Sequence, residues 1–292
     1  MATQEIHWRY LAEHPIFDPE AFLALGTRAE EFGQARPFKH VVIENLFRPE
    51  FLKTVHDEFY PPNDPRWHRF KDPGRQVKLM LQSEYQLPPA VKDLIRELNA
   101  EPFLRQLSAL TGIEGLIPDP YLVGGGMHQL QRGGKLAIHA DFNKHTLMKL
   151  DRRLNLLVYL NEDWPDAYGG HLELWDRDMK ACEKRIAPIF NRTVVFLTDD
   201  FSYHGNPEPV ECPPERGRKS IALYYYTNGR PAEELSPEGD HTTLFRERPN
   251  EVFAEPNALA VTLEQGLQAC LNGLRRSVPR PAIALAKKIL RR

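Results

Sequence analysis

Two histidines and one aspartate carry the clearest chemical signal in the sequence. His139 and Asp141 are separated by one residue in a strand-like stretch, 136–142. Because side chains alternate between the two faces of a strand, both should project to the same side. A third side chain, His204, would complete the two-histidine, one-carboxylate face that binds non-haem Fe(II) and leaves coordination positions open. The sequence therefore predicts an open iron site.

A basic side chain at the start of a later apolar run adds a second element. Arg218 begins the strand-like stretch 217–228, and Ser220 shares its face, whereas Lys219 alternates to the other side. A buried guanidinium is costly unless it meets an anion, and its planar fork suits a carboxylate. We therefore expect Arg218 to bind a carboxylate close to the metal.

Other motifs occur around these residues in a fixed order. They occupy residues 37–43, 124–129, 154–164, 169–175 and 194–198. Together with His139, Asp141, His204 and Arg218, this pattern resembles the 2-oxoglutarate/Fe(II)-dependent dioxygenases, and in particular their prolyl-4-hydroxylase-like branch. The resemblance extends from about residue 37 to residue 228.

The resemblance implies a cosubstrate site beside the metal. Arg218 and Tyr159 would bind the far carboxylate of 2-oxoglutarate, with Ser220 on the same face. Gln129 stands where many relatives have a tyrosine that faces the cosubstrate, so we assign it to the same site. The implied cofactors are Fe(II), 2-oxoglutarate and O2, with ascorbate as a further candidate.

The implied reaction is hydroxylation of an unactivated C–H bond, with release of succinate and CO2. The substrate would be a prolyl residue, an amino acid, a sugar or another small metabolite. Relatives that halogenate lack the metal-binding carboxylate, and this chain retains Asp141. Two other functions stay open, namely a cupin- or lectin-like binding module with a structural metal and a metal-dependent hydrolase. Three further histidines, His128, His145 and His171, are weaker ligand candidates.

The elements that must position these residues are mainly β-strands. Alternating patterns and turn signals predict eight strands that close as a jelly roll, or double-stranded β-helix. Their expected bounds are 121–131, 136–142, 153–161, 170–176, 184–190, 193–198, 202–206 and 217–228. We expect a helical and mixed layer over 1–118, the catalytic core over 119–230 and a helical extension over 231–292, all as one structural unit.

A Pro-rich, polar segment interrupts the N-terminal layer. Residues 61–74 contain Trp67 and Phe70 but show no periodic pattern. Loops of this length in compact domains are often functional. We therefore predict that the segment covers the mouth of the site.

Composition places the chain among ordinary globular proteins. It has 292 residues, of which 41% are hydrophobic and 27% charged, and no apolar run is long enough to span a membrane. The N-terminus lacks the pattern of a secretory signal, and three scattered cysteines favour neither disulfides nor zinc. We therefore expect a cytoplasmic protein.

Basic charge is concentrated at the C-terminus. Seven basic residues and no acidic residue follow Glu264, and 282–292 has the pattern of a basic amphipathic helix. This helix is a candidate for a subunit contact, which would make a homo-oligomer, or for a membrane-surface contact. Nucleic acid is not expected as a partner, because no aromatic residue interleaves the basic ones.

Overall fold

The computed structural model describes residues 10–11, 15–72, 74–235 and 239–253. The chain divides into two units, Met1–Val252 and Phe253–Arg292. The predicted helical extension beyond residue 253, which includes the basic helix at 282–292, lies outside the described residues. Within the described part of the chain, no helix is both long enough and apolar enough to cross a membrane.

Five α-helices lie between Pro19 and Thr111 in the described part of the chain, before the predicted catalytic strands. They are α1 (Pro19–Ala24), α2 (Ala29–Gln34), α3 (Pro49–Asp57), α4 (Pro89–Leu98) and α5 (Glu101–Thr111). All except α2 carry proline in the first turn, where its fixed φ angle suits the helix and its missing N–H costs nothing. Helix α5 ends at Gly112, whose φ of +70° places it in the left-handed conformation typical of helix C-termini.

Thirteen strands form one antiparallel, curled sheet within the described residues. Their bounds are β1 (His40–Glu44), β2 (His68–Asp72), β3 (Gln76–Leu81), β4 (Ile117–Pro118), β5 (Gly126–Leu130), β6 (Lys135–Ala140), β7 (Asp151–Tyr159), β8 (Leu172–Trp175), β9 (Cys182–Ile186), β10 (Arg192–Leu197), β11 (His204–Asn206), β12 (Arg218–Thr227) and β13 (Leu244–Phe245). The eight predicted strands correspond to β5–β12, and the jelly-roll prediction is confirmed.

The order of the strands divides the sheet into two halves. One half contains β10, β7, β12 and β5, and the other contains β6, β11, β8 and β9. Strand β3 joins them, because it pairs with β5 through Leu79 and Gln129 and with β6 through Gln76 and Leu136. The two halves therefore share a continuous hydrogen-bonded wall.

Alternation along β7 separates the hydrophobic core from the interior of the jelly roll. Leu154, Leu156 and Val158 are fully buried and belong to the main core, together with apolar residues of α1, α4 and α5. The residues between them, Asn155 and Leu157, line a cavity on the opposite face. One strand therefore supports the helical layer and also supplies the site, as its period of two requires.

The segment 61–74 differs from the predicted cover. Trp67 is buried, lies 6.3 Å from Phe59 between ring centroids and donates its indole N–H to the carbonyl of Pro61 across 3.0 Å. The following residues form β2, which pairs with β3. The prediction of a long loop was wrong because β2 is a sheet edge whose polar residues face solvent. The apolar alternation that normally reveals a strand is therefore missing.

Candidate metal and cosubstrate site

Two neighbouring strands bring the predicted metal ligands together. Strands β6 and β11 pair antiparallel with His139 opposite His204, and their ring centroids are 4.5 Å apart. Asp141 follows the end of β6. Its Oδ1 lies 3.6 Å from Nε2 of His139 and its Oδ2 lies 3.4 Å from Nε2 of His204. One ligand atom from each of the three buried residues lies within 4.8 Å of the other two, so this cluster could hold a metal ion.

Backbone hydrogen bonds orient both imidazoles. Nδ1 of His139 lies 2.8 Å from the carbonyl oxygen of Ala137, and Nδ1 of His204 lies 2.9 Å from that of Ser202. A carbonyl oxygen only accepts, so each Nδ1 must carry the proton, and each Nε2 lone pair is left for a metal. Burial and the neighbouring His204 lower the pKa of His139, which favours the neutral form that binds metal.

Two side chains of β7 hold the carboxylate in place. Arg152 and Asn155 donate to Oδ2 of Asp141 across 2.9 and 2.7 Å, so Oδ1 is left for a metal. Burial acts to raise the pKa of Asp141, but Arg152 and the two imidazoles outweigh it, and the pKa lies well below its usual range. Neither partner was predicted from the sequence, although Asn155 lies on the same face of the strand as Tyr159.

Arg152 is itself enclosed. It is fully buried, and its guanidinium carbon lies 3.4 Å from the ring centroid of Tyr224 and 4.5 Å from that of Phe142. Such stacking provides cation–π attraction that is strongest in desolvated sites. The same ring contacts hold the guanidinium in the orientation in which it donates to Asp141.

A cavity of about 150 Å³ opens beside the triad. Its lining includes the triad and residues from β3, β5, β7, β12 and β13. The polar and charged lining residues are Gln76, Lys78, His128, His139, Asp141, Arg152, Asn155, His204, Asn206, Arg218, Ser220, Tyr224 and Thr243. The metal ligands therefore face an enclosed space large enough for small molecules.

Arg218 occupies one wall of this cavity. It is buried, and its hydrogen bonds go to neutral oxygens: Nε donates to the carbonyl of Gly170 across 2.6 Å and Nη2 to the hydroxyl of Tyr159 across 3.3 Å. No carboxylate of the described residues forms an ion pair with it. Burial lowers the pKa of Arg218 and raises that of Tyr159. A desolvated guanidinium without a counter-charge is suited to an anionic ligand.

The structure places Ser220 in the cavity but not Gln129. Strand β12 pairs with β5 so that Ser220 lies opposite His128, and both line the cavity. Gln129 points to the other face, where it lines a separate surface groove together with Lys219. The assignment of Gln129 to the cosubstrate site was therefore wrong by one residue, and His128 takes the inward position. Burial lowers the pKa of His128 to about 3, so its imidazole is neutral.

The remaining histidines that the sequence offered as ligands lie elsewhere. His145 is fully buried, 3.2 Å from Asp119, and its Nδ1 accepts backbone N–H groups of residues 147 and 148. His171 lies 2.7 Å from the carboxylate of Asp166. Neither joins the cluster around Asp141.

Comparison with protein families identifies the segment that carries this site. The family described as the 2OG-Fe(II) oxygenase superfamily matches residues 125–226. The match covers β5 to β12, and so it includes the triad, Tyr159 and Arg218. Members of this superfamily use Fe(II), 2-oxoglutarate and O2. No curated protein sequence matches the chain.

Solved structures show similarity in fold. A prolyl-4-hydroxylase from Pseudomonas putida superposes with a TM-score of 0.50 at 14% identity, covering 70% of this chain and 100% of the other. A prolyl hydroxylase from Trichoplax adhaerens, in complex with a peptide fragment of the hypoxia-inducible factor oxygen degradation domain, has a TM-score of 0.50 at 18% identity. That match covers 71% of this chain and 91% of the other. The segment 125–226 therefore matches the 2OG-Fe(II) oxygenase superfamily, and the fold of the chain is similar to that of prolyl hydroxylases.

Proposed function

We propose that His139, Asp141 and His204 are the protein ligands of one Fe(II). Two imidazole nitrogens and one carboxylate oxygen form the ligand set that is typical of non-haem Fe(II) oxygenases. The donor atoms are already oriented, since both Nδ1 atoms contact backbone carbonyls and Oδ2 of Asp141 is engaged by Arg152 and Asn155. This outer layer of contacts supports the assignment, because it usually accompanies true metal ligands.

We further propose that Arg218 binds the far carboxylate of 2-oxoglutarate and that Tyr159 and Ser220 complete this subsite. The support is the buried guanidinium, which has neutral hydrogen-bond partners and no carboxylate partner in the described part of the chain. Tyr159 lies within 3.3 Å of it. A charge-assisted bidentate pair is stronger and more specific in geometry than a neutral hydrogen bond.

The chemistry combines these two subsites. When bound, Fe(II) and 2-oxoglutarate would supply the chemistry of a dioxygenase, in which reduction of O2 is coupled to decarboxylation of the cosubstrate and oxidation of a C–H bond. The side chains of this protein bind and orient the reactants: the triad leaves open positions, Arg218 fixes the cosubstrate, and the apolar walls at Leu157 and Leu172 limit water. Retention of Asp141 favours hydroxylation over halogenation. The substrate class is a prolyl residue, an amino acid, a sugar or another small metabolite.

We propose that the N-terminal layer (1–118), the core (119–230) and the first part of the extension, up to residue 252, work as one catalytic unit. Strand β3 of the first segment supplies Lys78 to the cavity, and the segment around β13 supplies Thr243 and Phe245. The ring of Phe245 lies 5.6 Å from that of His139. Residues on both sides of the core therefore help to enclose the metal site.

The observation that carries this proposal is the convergence of the triad and the carboxylate-free Arg218 on one cavity. Release of CO2 from 2-oxoglutarate tests it without a known substrate, because this assay follows the cosubstrate and not the substrate. We expect release that depends on Fe(II) and is abolished in His204→Ala but retained in His171→Ala. Equal release by wild type and His204→Ala would contradict the proposal.

A further inference from the structure

The charged side chains of the cavity are unbalanced. Its lining contains a single carboxylate, Asp141, but three cationic side chains, Lys78, Arg152 and Arg218. The three cations and one carboxylate give the lining a net charge of +2. The charges of Fe(II), +2, and of the 2-oxoglutarate dianion, −2, would cancel each other. The loaded site would therefore keep the net charge of +2 from its side chains. An enclosed site with uncompensated charge attracts ligands of the opposite sign.

Two of the three cations already have a role. Arg152 is paired with Asp141 across 2.9 Å, and Arg218 is assigned to the far carboxylate of the cosubstrate. Lys78 has neither function. It forms no ion pair or hydrogen bond with a carboxylate in the described residues, and the contact found for its ammonium is the ring of Phe70, 5.1 Å from Nζ. Burial lowers the pKa of Lys78 to about 8, with the charge of Asp141 acting against it.

The position of Lys78 in the sheet separates it from Arg218. Leu130 of β5 lies opposite Arg218 of β12, and Leu79 of β3 lies opposite Gln129. Lys78 and Arg218 are therefore two strands apart across the wall, about 10 Å between their backbones. 2-Oxoglutarate has two carboxylates, and the proposed function uses one at iron and one at Arg218. An anion at Lys78 is therefore assigned to another molecule, and the affinity of Lys78→Met for 2-oxoglutarate tests this assignment.

The space beside Lys78 lies over the metal ligands. Strand β11 occupies one edge of β6, so β3 and β13 share the other edge, where Gln76 pairs with Leu136 and Leu244 pairs with Ala140. Gln76 and Lys78 on β3 and Thr243 and Phe245 near β13 all line the cavity. A molecule between these strands would contact Lys78 at one end and approach the triad at the other.

A second donor in this cavity also lacks a partner. Nη1 of Arg152 is buried and donates to no acceptor among the described residues, although Nη2 donates to both Asp141 and Asn155. A buried donor without a partner is costly and usually indicates a bound group that satisfies it. Two positive groups of the cavity lining, Lys78 and Arg152, therefore offer N–H donors to an anion.

We propose that the primary substrate is an anion whose carboxylate or phosphate group pairs with Lys78, while the carbon to be oxidised lies near the triad. This inference rests on the proposed function, because it takes iron and 2-oxoglutarate to occupy the triad and Arg218. It narrows the substrate class from any small metabolite or prolyl residue to one that carries a free acidic group. An uncharged sugar or an internal residue of a neutral peptide would leave Lys78 unpaired.

Matched probes test the proposal on the full chain, loaded anaerobically with Fe(II) and saturating 2-oxoglutarate. Calorimetric titration compares N-acetylglycine with its neutral analogue N-acetylglycinamide, and methyl phosphate forms a third arm. We expect at least one anionic probe to bind about tenfold or more tightly than the amide, as a hydrogen-bonded charge requires. The two anionic arms distinguish a carboxylate from a phosphate. Equal binding of all three probes, or none, would overturn the proposal.

Variants of Lys78 assign the effect to this residue. Lys78→Met should abolish the preference for the anionic probe, Lys78→Arg should retain part of it, and Lys71→Met, on the exposed edge of the same hairpin, should behave as wild type. Thermal unfolding confirms that each variant is folded, and Lys78→Gln replaces Lys78→Met if that variant is not. Retention of the preference in the folded neutral variant would contradict the role of Lys78.

The same samples separate this inference from the proposed function. The affinity for 2-oxoglutarate should be unchanged in Lys78→Met. If it falls as it does in Arg218→Ala, Lys78 is a cosubstrate residue and the inference about the substrate is wrong. If the wild-type protein binds no 2-oxoglutarate with Fe(II), the proposed function itself fails.

Discussion

The guanidinium of Arg152 lies 2.9 Å from Oδ2 of Asp141, and both side chains are buried. This pair fixes the carboxylate rotamer and keeps it ionised, since the positive charge lowers the pKa of Asp141 against the effect of burial. Asn155 bridges the two, because its amide donates to Asp141 and its carbonyl accepts from Arg152 across 2.6 Å. The metal-facing oxygen, Oδ1, is consequently presented in one orientation.

Removal of this bridge should weaken metal binding without removing a ligand. We expect Asn155→Ala to reduce Fe(II) affinity by about 10- to 100-fold, the usual effect of losing an outer contact to a metal ligand. Competition with a chelator of known affinity measures it. Thr193→Val on the neighbouring strand is the control, because its buried hydroxyl has no hydrogen-bond partner in the described residues. Unchanged affinity in Asn155→Ala would show that Asp141 needs no such support.

Arg218 should determine the affinity for the cosubstrate. Loss of one partner of a buried charge pair costs about 2 kcal/mol or more, so Arg218→Ala should raise the Kd of 2-oxoglutarate at least about thirtyfold. Lys219→Ala should have little effect, because Lys219 lies on the other face, 3.1 Å from Nε2 of His56. Anaerobic titration with Fe(II) present measures both. A reversed result would mean that the cosubstrate lies on the other face of β12.

Two adjacent glycines allow the position of the Arg218 guanidinium to be tested without changing Arg218 itself. Gly169 and Gly170 both have positive φ, +65° and +71°, so alanine strains the backbone at either position. A Cβ added at Gly170 would lie 2.8 Å from Cδ of Arg218 and collide with it. A Cβ added at Gly169 would lie 3.6 Å from its nearest neighbouring atom, which is an ordinary contact. We expect Gly170→Ala to weaken 2-oxoglutarate binding by about tenfold through a displaced guanidinium, whereas Gly169→Ala affects only stability. Similar Kd values for the two variants would contradict this explanation.

An ion pair near β13 should make stability depend on pH. Nε2 of His241 lies 3.1 Å from the carboxylate of Asp200. Burial lowers the pKa of His241, but the interaction with Asp200 outweighs burial and raises the pKa overall. The stabilisation should therefore be full below the unfolded pKa of about 6.5 and be lost as pH rises through the folded value. Chemical unfolding of wild type and His241→Gln should show a difference that shrinks between pH 6 and pH 8.5; a difference that grows with pH would contradict the pairing.

The strand pattern of the core could be predicted because its physical signal is local. Strands β5–β12 alternate apolar and polar residues between clear turn residues, and His139, Asp141 and Arg218 lie within or beside them. Each of these residues could be placed on a face from its own strand alone. His204, whose strand has only three residues, was predicted instead from its place in the order of motifs that the family resemblance supplied.

What could not be predicted depends on pairing between distant strands. A shift of one residue moves a side chain to the opposite face, and the register of β5 against β12 separates His128 from Gln129. Strands β2 and β13 are short or polar, so their pairing partners decide their structure. Lys78 and Arg152 enter the cavity only through that tertiary arrangement. The sequence shows their charge but not their neighbours.

The most direct test of the central claim is anaerobic addition of Fe(II) and 2-oxoglutarate to the purified protein. A 2-oxo acid chelated to Fe(II) gives a weak visible charge-transfer band. We predict that this band appears only when both are present, saturates at one Fe(II) per chain, and is absent in His204→Ala but present in His171→Ala. Tight binding of Fe(II) without any band at saturating 2-oxoglutarate would contradict the assignment of this cavity as a site shared by metal and cosubstrate.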